Sequence, residues 1–401
     1  MSVHDLIVVG TNKAHALGFL WPDPAVHLIT EPWYESDYRG LGVQSISVVP
    51  DVRDVEAVRR AADSVISSSP RLRVLAPSER SVLAAGFLRT CYGLEGTGFE
   101  TSVNFTSKPI MARKFAEAGV PVAGNAWVTT APALVDEVSR RGHDVVIKPA
   151  MGTGNAGVLR ISGGEQLQTY AESISVPPPG GWLVQDRVAV EHEFHLDALV
   201  VNHQLCGPVV SQYFEPCLNW TTGTFFGSFV LDEANPTALD IISLGNRAVR
   251  ALGLRSGVVH LEVFQDRYGL ICNEIACRPG GDGVTLSVSA TRGRDFWTDV
   301  IALERGWSSD HSSSIFPGYG WVALPRGSGR VRSISDRREL EGIDGVVAVD
   351  LTVREGDIMR RSNGGYAAAG FCLVQSRDDL PMERIREQIR AQFILEADPV
   401  A

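Results

Sequence analysis

Glu262 and Glu274 flank a turn-forming segment around 266–269, in the runs His260-Leu-Glu262-Val-Phe264 and Asn273-Glu274-Ile-Ala-Cys-Arg278. Alternate side chains of a strand share a face. His260 and Glu262 therefore point one way, and Val259, Leu261 and Val263 the other. Glu274, Ala276 and Arg278 share a face by the same rule. Both glutamates are equidistant from Tyr268, so a five-residue turn centred there pairs them directly, whereas a four-residue turn slips the register by one. Two adjacent carboxylates repel by about 1 to 4 kcal/mol at a separation of ~4 Å. A divalent cation removes that cost, and Mg²⁺ takes one or two carboxylates together with phosphate oxygens. The alternative is two solvated glutamates on an exposed sheet face.

A second candidate is Gly152-Thr-Gly154-Asn-Ala-Gly157, which follows Val145-Val-Ile-Lys148-Pro149. The glycines match G-x-G-x-x-G, but a dinucleotide loop follows a strand and opens a helix. Here the loop leads into another apolar run, Val158-Leu-Arg-Ile161, and reads as a strand–loop–strand flap. Glycine amides approach phosphate closely, and Lys148 supplies a point charge at the base of the flap. A glycine-rich surface hairpin with a solvated lysine is the bland alternative. In Glu191-His-Glu193-Phe-His195-Leu-Asp197, the side chains of Glu193, His195 and Asp197 line one face. A carboxylate there suits ribose hydroxyls, and a charged outer face of an antiparallel sheet is the alternative.

The elements that must position these residues alternate at first. Runs 6–9, 26–29, 46–49 and 73–75 read as strands, with helices at 54–66 and 79–90, which predicts a small parallel sheet. A helix over 108–118 follows. Strands are then expected to dominate, at 144–147, 158–161, 182–185 and 193–201, with a proline-rich turn at 177–181. A helix at 240–252 precedes the hairpin 258–264 and 270–276. Short strands, a helix at 337–340 and a final helix at 382–393 complete the chain. The aromatic region 203–229, with Tyr213, Phe214, Trp220, Phe225 and Phe226, reads as core or an oligomer contact, with the wall of a substrate pocket as the alternative.

A chain of 401 residues is long enough for two or three structural units. Its net charge of −10 argues against a generic nucleic-acid binder. The six cysteines form no C-x-x-C and read as buried structural thiols in a reducing compartment. No stretch reaches the roughly 18 apolar residues of a membrane span. The N-terminus lacks a secretory pattern, so a cytoplasmic protein without membrane contacts is expected.

The order of these pieces resembles the ATP-grasp superfamily, and within it the L-amino-acid ligases. The resemblance spans nearly the whole chain. It rests on Thr106-Ser-Lys108-Pro-Ile-Met-Ala-Arg113, the run from Ile147 to Gly157, Val184-Gln-Asp-Arg-Val188 and Glu274-Ile-Ala-Cys-Arg278-Pro-Gly-Gly-Asp282. It implies an α/β and α+β fold: an N-terminal Rossmann-like parallel-sheet domain over 1–105, an ATP-grasp small lobe over 106–186, a core lobe over 187–310 and a C-terminal mixed β subdomain over 311–401.

Carried over position by position, the resemblance puts ATP phosphates on Lys108 and Lys148 beneath the flap Gly152, Thr153, Gly154 and Gly157. Gln185, Asp186, Arg187 and Val188 become the adenine hinge, and Glu193 the ribose contact. Glu262 and Glu274 hold Mg²⁺, with Mn²⁺ as an alternative ion. Arg278 stands at the reacting acyl group. The implied reaction joins a small-molecule carboxylate to an amine through an acyl phosphate, with the flap excluding water, and a homodimer is compatible with it. Two departures stand out: Asp186 replaces the Glu of many members, and Ala276 stands where many carry the Asn of one metal site. Another ATP-grasp chemistry and a nicotinamide-dependent oxidoreductase are the competing readings.

Overall fold

The computed structural model describes residues 5–399 apart from 15, 21, 70, 143, 153, 155, 220–223, 282, 307–317 and 360–367. Strands Asp5–Val9, Val26–Thr30, Ser45–Val48 and Leu72–Leu75 form a parallel sheet in the order third, second, first, fourth. The run Leu6-Ile-Val-Val9 is apolar throughout because both faces of this sheet are covered. Ile7 and Val9 pack beneath helices Val55–Ser68 and Glu79–Tyr92. Leu6 and Val8 face the other way, into a cluster with Phe296, Trp297, Val300 and Ile301 of helix Phe296–Glu304 and with Trp321. That shared cluster fixes the N-terminal sheet against the rest of the molecule. The helices start and stop on local chemistry: Asp54 caps the first by accepting the N–H groups of Glu56 and Ala57, and Gly93 ends the second at φ +63.

A second, antiparallel sheet is ordered Asn125–Val128, Trp182–Asp186, Val145–Pro149, Leu159–Ile161. Helices Ala131–Arg141 and Gly164–Ser173 cover it through Leu134, Val138 and Leu167. Neither helix was expected in this region, where strands were expected to dominate. The first carried its own signals, a Thr130 cap, Pro132 in the first turn and Gly142 at φ +66. The second buries little beyond Leu167, so its apolar period was faint.

The largest sheet has eight strands, in the order Gly269–Ala276, Ser256–Asp266, His192–Val201, Gln204–Tyr213, Gly227–Val230, Tyr319–Pro325, Ala368–Gln375, Val346–Leu351. Every pairing in it is antiparallel. One face of its first strands buries Phe194, Leu196, Leu261 and Val263 under helix Pro236–Leu252. The opposite face carries Glu193, His195, Asp197, His260 and Glu262. Strands from both sides of residue 310 belong to this one sheet. Its C-terminal end packs on helix Met382–Gln392, and a three-stranded sheet lies beyond it.

Tyr213 and Phe226 are core residues and stack at 5.1 Å, Phe214 and Phe225 pack on the C-terminal cluster, and Trp220 lies outside the described residues. None of the six cysteines forms a disulfide: Cys272 and Cys372 are buried as expected, whereas Cys91 is exposed on its helix. Among the described residues, no helix is long and apolar enough to cross a membrane.

Candidate active site

The hairpin does pair Glu262 with Glu274, by a route the turn alone does not provide. Asp266 pairs with Gly269, so the turn is only Arg267 and Tyr268 rather than five residues. That register by itself would set Glu262 opposite Asn273. A bulge between Val263↔Cys272 and Glu262↔Glu274 leaves Asn273 as the extra residue and restores the glutamate pair. It also brings Glu274 onto the cleft face beside Asn273, against strict alternation. Asn273 Nδ2 donates to Glu262 Oε2 at 3.0 Å, and its Oδ1 accepts from Lys148 Nζ at 2.7 Å.

Lys108 begins helix Lys108–Glu117, and its backbone N–H donates to Ala150 O at 2.9 Å. That bond straps the helix to the base of the glycine loop. Its ammonium meets Glu274 Oε2 at 2.6 Å. Burial opposes the charge on Lys108, but the Glu274 carboxylate outweighs it and holds the pKa above the ordinary lysine value. Lys148 donates instead to the neutral amide of Asn273. Burial dominates there and lowers its pKa.

These groups line a cavity of about 370 Å³, together with Gly154, Gln185, Asp186, Arg187, Val188 and Glu193. Val146, Val188, Val190, Phe264 and Ile271 give it an apolar slot of the kind a flat heterocycle fills. At the hinge, Asp186 N–H donates to Gly124 O at 2.7 Å and Arg187 N–H to Asp144 O at 3.2 Å. The carboxylate of Asp186 is ion-paired with Arg141. Glu193 accepts the Cys217 N–H at 2.7 Å. Burial, followed by the nearby Glu262, raises its pKa above the usual carboxylate range.

The strand carrying Glu193 is not a charged outer face. His195 and Asp197 are fully buried, and His260 is nearly so. His195 shares one hydrogen bond with Asp197 Oδ2 (2.7 Å) and another with Ser228 Oγ (2.8 Å). His260 Nδ1 bonds Asp197 Oδ1 at 2.9 Å, while its Nε2 lies 3.8 Å from Glu262 Oε1. Burial disfavours charge on His260, and Asp197 overrides this, raising its pKa to about 9.

Arg278 lies outside the cavity lining. Its Nε pairs with Glu79 Oε2 at 3.1 Å and its Nη1 donates to Pro279 O at 2.8 Å. It remains within electrostatic reach of Glu274 and Glu262. Glu79 was not anticipated, although it follows strand Leu72–Leu75 at the carboxyl edge of a parallel sheet, where ligands commonly bind.

The glycine loop joins Val145–Pro149 to Leu159–Ile161 as an antiparallel pair and opens no helix, which removes the dinucleotide reading. Gly154 and Gly157 adopt φ +56 and +72, and a Cβ at Gly157 would lie 2.9 Å from Pro149 Cγ. Gly152 sits at the loop entrance, while Thr153 lies outside the described residues.

No protein-family model matches the chain. The L-arginine-specific L-amino acid ligase of Bacillus subtilis is 25% identical over 391 residues, which cover 93% of this chain and 94% of that relative. The crystal structure of an L-amino acid ligase from Bacillus licheniformis superposes with a TM-score of 0.80 at 18% identity, over 99% of each chain. This chain has the ATP-grasp fold. An N5-carboxyaminoimidazole ribonucleotide synthetase from Thermotoga maritima, with a TM-score of 0.71 and 15% identity, covers 99% of this chain and 100% of its own. The near full-length likeness to a named ligase supports an enzyme that forms C–N bonds. In ATP-grasp terms the glycine loop and the acidic hairpin form facing parts of one cavity wall. The paired Glu262 and Glu274 carboxylates offer oxygen donors, which fit a hard cation such as Mg²⁺ or Mn²⁺.

Proposed function

We propose that the protein is an ATP-dependent carboxylate–amine ligase that joins two amino acids by an amide bond through an acyl phosphate, releasing ADP and phosphate. The observation that carries this reading is the Glu262–Glu274 pair flanked by Lys108 and Lys148 in the wall of a nucleotide-sized cavity. The apolar slot takes adenine. Because the Asp186 and Arg187 N–H groups are already bonded to protein, the adenine contact falls to Val188 and the carbonyls of the hinge. Glu193 holds the ribose. Mg²⁺ held by Glu262 and Glu274 would neutralise phosphate charge.

Hydroxide is a poor leaving group, so a carboxylate must be activated before an amine attacks it. The chain's task is positioning and charge neutralisation. Lys108 and Lys148 face the phosphoryl group being transferred. Arg278 presents its guanidinium fork to the oxyanion that forms on amine attack. Gly152, Gly154 and Gly157 would close over the phosphates and exclude water, which would hydrolyse the intermediate. On this reading 1–105 form the N-terminal domain, 106–186 the lid lobe, 187–310 the core lobe and 311–401 the C-terminal subdomain.

The test is phosphate release screened over pairs of amino acids, with the product identified by mass. A substrate carboxylate labelled with ¹⁸O should deliver one label to the released phosphate, with ADP as the nucleotide product. AMP and pyrophosphate, or unlabelled phosphate, would replace this mechanism with an adenylating or simple hydrolytic one.

A further inference from the structure

Asn273 connects two groups that would otherwise meet. Its Nδ2 bonds Glu262 Oε2 at 3.0 Å and its Oδ1 takes the Lys148 ammonium at 2.7 Å. The other carboxylate oxygen of Glu262 faces His260, which is tied to the fully buried Asp197. Glu262 is thus approached from both sides. Glu274 is treated differently, because it pairs directly with Lys108.

The orientation of the Asn273 amide is fixed by charge. Rotated by half a turn, its NH₂ would face an ammonium and its oxygen a carboxylate, and both contacts would be repulsive. The turn register already sets Asn273 opposite Glu262 on the cleft face, and the bulge carries Glu274 onto that face beside it. Lys148 is buried, and a buried lysine next to a free carboxylate forms an ion pair that is costly to break. A neutral amide satisfies the ammonium without neutralising it.

We propose that Asn273 is a positioning residue: its carboxamide is the spacer that keeps Lys148 and Glu262 from pairing, so that the lysine stays available to phosphate and the glutamate to the metal ion. The proposal rests on the ATP–Mg²⁺ reading given above.

The test uses the full chain with Asn273→Asp, which is nearly isosteric, and Asn273→Ala. Mg·ADP affinity is measured by calorimetry over a Mg²⁺ titration, alongside the melting temperature of each metal-free chain. The aspartate variant places a carboxylate against both Lys148 and Glu262. It should weaken Mg·ADP about tenfold or more and raise the Mg²⁺ concentration for half-saturation. Asn273→Ala should shift the same two quantities in the same direction, with the metal-free melting temperature of the aspartate variant nearly unchanged. Wild-type affinity and half-saturation in the aspartate variant would overturn the proposal, as would an affinity loss that merely tracks a lower melting temperature. Absence of Mg²⁺-dependent ADP binding in the unmodified chain would instead overturn the nucleotide reading on which the proposal stands.

Discussion

Glu262 and Glu274 stand opposite each other on neighbouring antiparallel strands, yet only Glu274 is ion-paired with a lysine. Directly opposite strand residues bring their Cβ atoms to about 4.5–5.5 Å, close enough for one cation to bridge two carboxylates. Glu262→Gln and Glu274→Gln should each lower turnover more than about 100-fold at limiting Mg²⁺ while leaving the fold intact. A substitution at the exposed Glu117 should change stability by less than about 0.5 kcal/mol and leave the rate alone. Phosphate release over a Mg²⁺ titration decides the matter, and near-normal turnover in Glu274→Gln would remove the metal assignment.

Lys148 predicts a pH dependence of nucleotide binding. Burial holds its pKa below the ordinary 10.5, and phosphate favours the protonated ammonium. ATP affinity should therefore be full at pH values below that lowered pKa. Above it, affinity should fall by up to about tenfold per pH unit as the proton leaves. Lys108 is shifted the other way by Glu274, so its loss of charge comes later. Lys148→Arg should move the alkaline limb upward, because a guanidinium stays charged. Calorimetric titrations between about pH 7 and 10.5 read this directly, and identical limbs in both proteins would exclude Lys148 from the phosphate site.

Asp197 should matter for stability. It is fully buried between two histidines, and removing one partner of such a set typically costs about 3–5 kcal/mol. Asp197→Ala should show that loss in urea unfolding. Gly280 approaches the same carboxylate, since a Cβ there would lie 2.8 Å from Asp197 Oδ1 and 2.5 Å from Val284 Cγ1. Gly280→Ala should cost about 1–3 kcal/mol. A loss under about 1 kcal/mol in Asp197→Ala would show that the buried chain contributes little to folding.

Arg278 should act on the chemical step. Losing one oxyanion donor costs about 10²–10³ in rate. Arg278→Lys retains a charge facing Glu79 but loses the planar fork. Its kcat should fall by that factor, with a smaller change in ATP affinity. Equal losses in both would assign Arg278 to the contact between the N-terminal sheet and the core sheet.

The sequence by itself determined the local pieces. The apolar runs, the capped helices and the proline and glycine punctuation marked the parallel N-terminal sheet, the later helices that begin at Lys108, Pro236, Arg337 and Met382, and the strands of the acidic hairpin, but not helices Phe99–Thr106, Val284–Arg292 and Phe296–Glu304. Alternation alone placed Glu193, His195 and Asp197 on one face and His260 with Glu262 on one face, because a two-residue period survives any tertiary arrangement. Whether those faces met water was decided by tertiary structure. His195 and Asp197 are buried because strands more than a hundred residues apart in sequence join in one eight-stranded sheet and N-terminal elements cover it. The pairing of Glu262 with Glu274 was legible as one register among two. A bulge at Asn273 selected it, and no residue type announces a bulge of this kind. The Arg278–Glu79 pair links residues 199 positions apart. Such a contact depends on how whole sheets dock, and local spacing carries no information about that.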